Sequence, residues 1–275
     1  MSKLYVVGTP IGNLGDMSPR AVETLEKVDF IAAEDTRVTL KILNHFNIKK
    51  PMISYHEHNI REKGEYIISR IMNGENCAIV TDAGMPCISD PGEDIVKLCH
   101  DHNVPLEVVP GPSALIAALA VSGLVTSKFT FQGFLTVRKT GRYAELEKIK
   151  NEEKTIIFYE APHKLKATLN DIRAVFGNRR ISIAREITKI HEEVKRTTLD
   201  EAIEYYKEVN PKGEYVLIVE GAEPPKTEVE VTFEDAVEMA REMAEEVGSS
   251  AAAKEISKET GFKKGDIYKA LQNIE

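Results

Sequence analysis

Residues 77–92, CAIVTDAGMPCISDPG, decide how the chain folds. Cys77–Thr81 is a short apolar run that reads as a buried strand, and Glu93–His102 beyond it reads as a helix. The connection between them, Thr81–Gly92, packs two Gly, two Pro and two Asp into 12 residues. A merely structural turn rarely needs that length. So many backbone-constraining residues predict a rigid loop of exposed main-chain groups, suited to holding a polar ligand.

The same strand–loop–helix rhythm runs outward in both directions. Towards the N-terminus, strands are expected at Lys3–Val7, Phe30–Ala33 and Ile53–Ser54, with helices from Ser18 or Pro19 through Val28, at Val38–Phe46 and at Glu62–Met72. Beyond the quoted loop come a strand at Leu106–Val109 and a small-residue helix at Ala114–Ser122. This spacing predicts a mostly parallel sheet covered on both faces. A second α/β set follows, with strands at Phe129–Phe131, Thr155–Tyr159, Arg180–Ala184 and Glu214–Val219. Its helices are expected at Arg142–Lys150, His163–Phe176 and Leu199–Lys207. Gly221–Val231, with Pro224 and Pro225, reads as a linker. Three helices then follow: one capped by Thr232 or Asp235 and running to about Val247, one from Ser249 or Ser250 through Thr260, and one over Lys264–Ile274. Their spacing has a helix-turn-helix rhythm, which fits either nucleic-acid docking or a packing and dimerisation module. The expected domains are therefore 1–113, 114–222 and 231–275.

The chain has 275 residues, 42% of them hydrophobic and 29% charged, enough to bury sizeable cores. No apolar run approaches a bilayer span, and the N-terminus enters a strand at once instead of a signal-peptide core. The three cysteines, Cys77, Cys87 and Cys99, match no zinc spacing and read as buried small hydrophobes in a reducing compartment. A cytoplasmic, multidomain enzyme is the expectation. The net charge of −8 conceals an uneven distribution. Residues 1–113 carry 11 basic and 16 acidic residues, residues 114–222 carry 18 and 15, and residues 223–275 carry 7 and 13. The middle third alone is net basic, so an anionic partner is expected there.

Two further loops bear on chemistry. Gly8-Thr9-Pro10-Ile11-Gly12-Asn13-Leu14-Gly15 follows the first strand, where a glycine-rich turn lets a cofactor approach the backbone. Its spacing does not fit the dinucleotide fingerprint, although Glu34 and Asp35 close the second strand where that fold keeps its ribose-binding acid. Val109-Pro110-Gly111-Pro112-Ser113-Ala114 opens the small-residue helix, and Ser113 stands at a helix start whose free N–H groups favour a carboxylate or phosphate.

These loops, with further blocks, carry a resemblance. VGTPIGNL, AAEDTR, YHEHN, TDAGMPCISDPG, VPGPSA, FYEAPHKL and AREITKIHEE extend in order from Val7 to Glu193, and GEYVLIVEG continues it. The chain resembles the tetrapyrrole methylase superfamily of S-adenosylmethionine-dependent methyltransferases, in particular its branch that acts on ribosomal RNA. Met85 departs from the family pattern, which has Thr there. The resemblance implies two α/β domains with S-adenosylmethionine in the cleft between them, which removes the ribose role from Asp35. It places Pro10, Ile11, Gly84, Met85, Ile88, Ser113 and Ala114 around the cofactor, with Tyr159, Ala184 and the Val219 strand near its adenine. It also implies a homodimer, and methylation of a cytidine ribose 2′-oxygen in the decoding region of 16S rRNA within the small ribosomal subunit.

Charged blocks at strand ends supply the candidate catalytic groups. Asp35 is either a base or substrate-positioning group, or a structural partner of Arg37; Arg37 is a candidate phosphate contact. Glu186 and Lys189 are candidates on the second domain. His56, with Asn59, reads as an RNA contact in preference to a base. Phe134, Arg138, Lys139 and Arg142 lie on a basic loop, and Lys164 adds charge nearby, as RNA binding and base stacking require. HExxH is absent, and no metal site is expected. Methylation of a tetrapyrrole is the alternative within the superfamily, and a ligand-sensing DNA-binding regulator is the non-enzymatic one.

Overall fold

A computed structural model describes residues 2–224 and 231–272. The chain divides into two compact units, 1–222 and 223–275, and both sheets lie in the first.

The first sheet contains β1 (Leu4–Val7), β2 (Phe30–Ala33), β3 (Met52–Ser54), β4 (Cys77–Val80) and β5 (Leu106–Val109). Its order is β3-β2-β4-β1-β5, and every pairing is parallel. Helices α1 (Pro19–Lys27), α2 (Thr36–His45), α3 (Ile60–Met72) and α4 (Glu93–Asp101) supply the crossovers. Alternation along the strands divides the core in two. Ile31, Ala33, Ala78 and Val80 pack with Leu25 of α1 and Leu43 of α2. Phe30, Ala32, Cys77 and Ile79 face the other way, onto Ile67 and Ile71 of α3 and Ile95 of α4. Burial on both faces is why these strands read as unbroken apolar runs.

Helix α5 (Ala114–Val121) leads to the second sheet, formed by β6 (Phe129–Phe134), β7 (Thr155–Glu160), β8 (Arg180–Arg185), β9 (Glu193–Thr198) and β10 (Tyr215–Val219). The order is β6-β7-β10-β8-β9, with β6 and β7 parallel and the other pairings antiparallel. Helices α6 (Lys139–Ile149), α7 (Pro162–Phe176) and α8 (Leu199–Glu208) cover one face. The other face packs Ile157, Ala184, Val216 and Ile218 against Leu115, Ala118 and Leu119 of α5 and against Ile11. Strand β9 is not legible in the sequence. Its residues, EVKRTT, sit on a sheet edge with no fully buried position, so charge masks the alternation.

The second unit holds α9 (Phe233–Val247), α10 (Ser249–Thr260) and α11 (Lys264–Gln272). Thr232 and Asp235 form a capping box, and Gly261 ends α10 in the left-handed conformation. Gly248 precedes α10, so neither Ser249 nor Ser250 caps it by a side-chain hydrogen bond. Ala236, Ala240, Ala253, Ile256 and Ile267 make its core. Residues 225–230 of the expected linker and the last part of the expected third helix lie outside the described residues. No helix among the described residues is long and apolar enough to cross a membrane.

A close backbone approach joins the loops after β1 and β5. A Cβ on Gly8 would stand 2.7 Å from the Gly111 Cα, and one on Gly111 would stand 2.8 Å from the Gly8 carbonyl carbon. Both obstacles are backbone, which cannot rotate aside. Gly111→Ala is accordingly expected to lower stability by about 1–3 kcal/mol, as overpacking does. Urea unfolding measures this; an unchanged midpoint would show that the two loops separate freely.

Candidate active site

Because β4, β1 and β5 are neighbours, the loops leaving their C-terminal ends emerge side by side. Thr9 and Gly84 exchange backbone hydrogen bonds of 2.9 and 3.1 Å, the Thr9 hydroxyl donates to the Thr81 carbonyl at 3.0 Å, and the Gly8 N–H donates to Val109 O at 3.0 Å. Met85 enters the same seam: its thioether sulfur accepts the Gly111 N–H at 3.3 Å. Met85 thus acts through its side chain as well as its backbone.

Opposite this rim, α5 begins at Ser113, whose side chain makes no capping hydrogen bond. The Leu115 N–H donates instead to the Tyr159 hydroxyl at 3.2 Å. Tyr159 meets the rings of Phe131 and Phe134 at centroid distances of 5.0 and 5.6 Å. The two walls enclose a cavity of about 680 Å³, within the range of about 300–1,000 Å³ that small-molecule sites occupy.

Of the residues expected around a cofactor, Ile11, Gly84, Met85 and Ile88 line the first wall. Ser113, Ala114, Tyr159 and Ala184 line the second. Two expectations need correction. Pro10 is buried beside Ile11 without forming part of the lining. Val219 packs with Leu217 into the core under α6–α8, at the far end of β10 from the cavity; Tyr215 and Val216 line it instead. Val216 and Val219 are three positions apart, so the pleat turns them to opposite faces.

Glu186 and Lys189 also line the cavity. The Lys189 ammonium bonds Glu186 Oε1 at 2.9 Å and Glu214 Oε2 at 2.7 Å. Its methylene stem lies against Gly12, where a Cβ would fall 2.4 Å from Lys189 Cγ; Gly12 has φ +145°. The second wall is therefore clasped to the first loop. Burial pushes the Glu186 carboxyl upward, yet the Lys189 ammonium and the Glu214 N–H hold it below its ordinary value.

Asp35 and Arg37 lie at the β2 end, outside the cavity lining. Asp35 caps α2, accepting the Arg37 N–H at 2.8 Å and gripping the Arg37 guanidinium, which holds its carboxyl down at about 2. The Arg37 side chain remains 87% exposed. His56 and Asn59 follow β3 and bond each other locally, with the Asn59 side chain accepting the His56 N–H at 3.0 Å. Neither lines the cavity. Phe134 does, and it is more than half exposed at 56%. The Lys164 ammonium stands 5.6 Å over its ring, while Arg138 and Lys139 are exposed at the start of α6.

Arg142 is not a surface cation. Its guanidinium is buried against the Asp171 carboxylate and donates to Val137 O at 2.9 Å, which closes the β6–α6 loop from beneath. A charge committed in this way cannot also meet a phosphate.

The sequence did not reveal Asp90 as a cavity residue. It lines the wall beside Ile88 and Ser89, and burial, followed by the nearby Glu34 carboxylate, pushes its carboxyl up to about 6 against the opposing influence of the Thr81 hydroxyl. The two aspartates of the quoted loop look alike in sequence; only the turn of the chain separates them. Among the described residues, no group of three or more His, Cys, Asp or Glu side chains is placed to hold a metal ion.

A polar loop rim facing an apolar, aromatic wall, with the cavity between two α/β sheets, is the architecture of a small-molecule or cofactor-dependent enzyme. The family model for tetrapyrrole (corrin/porphyrin) methylases matches residues 3–203, and the chain belongs to that family. Ribosomal RNA small subunit methyltransferase I of Synechocystis sp. is 46% identical over 278 residues, covering 100% of this chain and 99% of its own. The Thermotoga maritima protein of the same name is also 46% identical, covering 81% of this chain and 100% of its own. Among solved structures, a uroporphyrin-III C-methyltransferase from Thermus thermophilus, complexed with S-adenosylhomocysteine, has a TM-score of 0.57 at 18% identity, covering 78% of this chain and 97% of its own. A cobalt precorrin-4 methyltransferase gives 0.59 at 18%, covering 79% and 94%. At that identity the two structures speak to the fold.

Two outcomes follow from the charges. Arg142→Ala leaves Asp171 buried and unpaired and is expected to cost about 3–5 kcal/mol; urea unfolding close to wild type would return Arg142 to the list of free cations. For Asp90 the native carboxyl binds its proton more tightly than the unfolded one, from an ordinary value of 3.8. Its contribution to stability is therefore present at acid pH and is lost as pH rises from about 4 to about 6. Asp90→Asn should remove that loss, so its melting temperature relative to wild type rises across this window. A constant difference between the two melting curves would show an ordinary carboxyl.

Proposed function

We propose that the chain transfers the methyl group of S-adenosylmethionine to the ribose 2′-hydroxyl of a cytidine in the decoding region of 16S rRNA, acting in the cytoplasm on the small ribosomal subunit. The observation that carries this reading is similarity along the whole chain to ribosomal RNA small subunit methyltransferase I. The tetrapyrrole alternative has support from fold likeness alone, and no observation favours a DNA-binding regulator.

The cavity fits the cofactor. Ala184, Ile187 and Val216 offer an apolar wall for an adenine. The α5 N-terminus, where Ser113 makes no capping hydrogen bond and the Leu115 N–H meets the Tyr159 hydroxyl, suits a carboxylate. Carboxylates at Asp90 and Glu186 suit a sulfonium's positive charge. Ile11, Gly84, Met85, Ile88, Ser113, Ala114, Tyr159 and Ala184 would hold it, with 1–113 and 114–222 as the two domains that close on it. When bound, S-adenosylmethionine supplies a methyl on a good leaving group, so the protein's task is chiefly alignment. Lys189 locks the two walls through Glu186, Glu214 and the Gly12 stem contact. Tyr159 fixes α5 against the second sheet. Phe134, exposed at the mouth with Lys164 above it, offers a stacking face for an extruded base. Arg37, Arg138, Lys139, His56 and Asn59 would meet the flanking backbone.

A homodimer is part of the same reading. β5 is a sheet edge with Val108 57% exposed, and Val125 is a further exposed apolar side chain at 63%.

The test incubates the protein with methyl-labelled S-adenosylmethionine and small subunits from a strain lacking this methylation. Label in 16S rRNA is expected; label passing to a tetrapyrrole and not to rRNA would overturn the reading. Phe134→Ala is expected to raise the KM for the subunit about tenfold, the loss of one stacking contact of about 1–3 kcal/mol. Arg37→Ala is expected to slow rRNA methylation with cofactor affinity unchanged, and parallel loss of both would refute its phosphate role. Sedimentation should give a dimer that Val108→Lys dissociates; a monomeric wild-type protein would remove dimerisation from the account.

A further inference from the structure

Four carboxylates line the cavity: Asp90, Glu160, Glu186 and Glu214. Three are occupied. Glu160 accepts the Ala161 N–H at 2.8 Å and the Thr168 hydroxyl, with the Lys164 ammonium at 3.6 Å. Glu186 and Glu214 share the Lys189 ammonium. Asp90 has no cation within 4.0 Å among the described residues. The Thr81 hydroxyl beside it donates to Glu34 Oε2 at 2.5 Å, and its influence on Asp90 only partly offsets the burial that raises the carboxyl.

The chain is bent to place this carboxyl. Cys87 and Ser89 both hold positive φ, at 69° and 64°, although neither is glycine. Residues in that region are costly and persist where the surroundings enforce them. Ile88, Ser89 and Asp90 are thereby all presented to the cavity. Ser89 Oγ reaches the second sheet, 3.2 Å from where a Cβ on Gly133 would sit, next to Phe134. Asp90 thus lines the same cavity as Phe134 and lies near Tyr159, whose ring meets that of Phe134.

We propose that Asp90 is the catalytic residue that takes the proton from the substrate's 2′-hydroxyl. The proposal rests on the 2′-O-methyltransferase reading of the same cavity. The ribose oxygen forms its bond to the methyl carbon as the carbon–sulfur bond breaks and sulfur keeps the bonding pair. The hydroxyl proton passes to an Asp90 carboxylate oxygen and from there to solvent. The groups facing Asp90 are Glu34 from the end of β2, Asp82 and Cys87 from its own loop, and Tyr159 from β7. None is a cation. Burial and the Glu34 and Asp82 carboxylates make Asp90 a stronger base than an exposed aspartate, with the proton held up to about 6.

Single-turnover methylation of small subunits, followed across pH, tests this. Wild-type rate is expected to rise with unit slope through an inflection at or below about 6, because a bound sulfonium favours the ionised acid, and then to level off. Asp90→Asn should lower the plateau about 10²–10⁴-fold and abolish the inflection. Calorimetry with S-adenosylhomocysteine, which lacks the sulfonium charge, should give a dissociation constant within about threefold of wild type, and thermal melting should show the variant folded. Asp90→Glu should recover part of the rate together with an inflection. A wild-type rate and pH profile in Asp90→Asn would overturn the proposal, as would a loss of rate matched by loss of S-adenosylhomocysteine binding. Wild-type protein that leaves rRNA unlabelled would overturn the underlying reading instead, which separates the two failures.

Discussion

The backbones of Gly8 and Gly111 meet closely enough to leave no room for a Cβ on either residue, and the rim of the cavity is built outward from that contact. β1 lies between β4 and β5, so its loop alone can be tied to both neighbours. On one side it exchanges hydrogen bonds between Thr9 and Gly84, and on the other it presses on Gly111 with the Met85 sulfur wedged alongside. Main-chain atoms meeting main-chain atoms move little. A pocket formed in this way is preorganised, which is what alignment chemistry requires of it.

A second constraint closes the opposite wall. Lys189 reaches back to Gly12 and is held at its tip by Glu186 and Glu214. Glu186 and Thr188 adopt positive φ, at 50° and 69°, to let the loop turn there. Charge, glycine and backbone strain converge on one short segment. Such convergence is more readily explained by the need to fix two walls than by packing alone. With Lys189 neutralised inside the clasp, Asp90 is left as the reactive carboxyl of the cavity.

Much of this was legible in sequence. Parallel strands buried on both faces, such as FIAA and CAIV, announce themselves as apolar runs, and the loops rich in Gly, Pro and Asp line the cavity. What escaped was geometry that sequence expresses only through the third dimension. Strand β9 was hidden because an edge strand tolerates charge. Val216 lines the cavity and Val219 does not, since an odd separation along a strand exchanges the faces. Arg142 looked like its neighbours Arg138 and Lys139 in a basic loop, and its buried partner Asp171 is 29 residues away. Asp90 carries no signal in the sequence, because its raised proton affinity follows from burial and nearby carboxylates, neither of which a local motif displays.

Among the described residues, none of those lining the cavity comes from the helical unit at 223–275. The Thermotoga maritima relative aligns over its entire length while leaving unmatched a share of this chain close in size to that unit, which fits an accessory role. The most direct measurement of the central claim concerns the atom that receives the methyl group. Alkaline cleavage of RNA requires a free 2′-hydroxyl, so small-subunit RNA labelled by this protein should yield its label in an alkali-stable dinucleotide with cytidine on the 5′ side. Label released in a mononucleotide would place the methyl on a base and contradict the account.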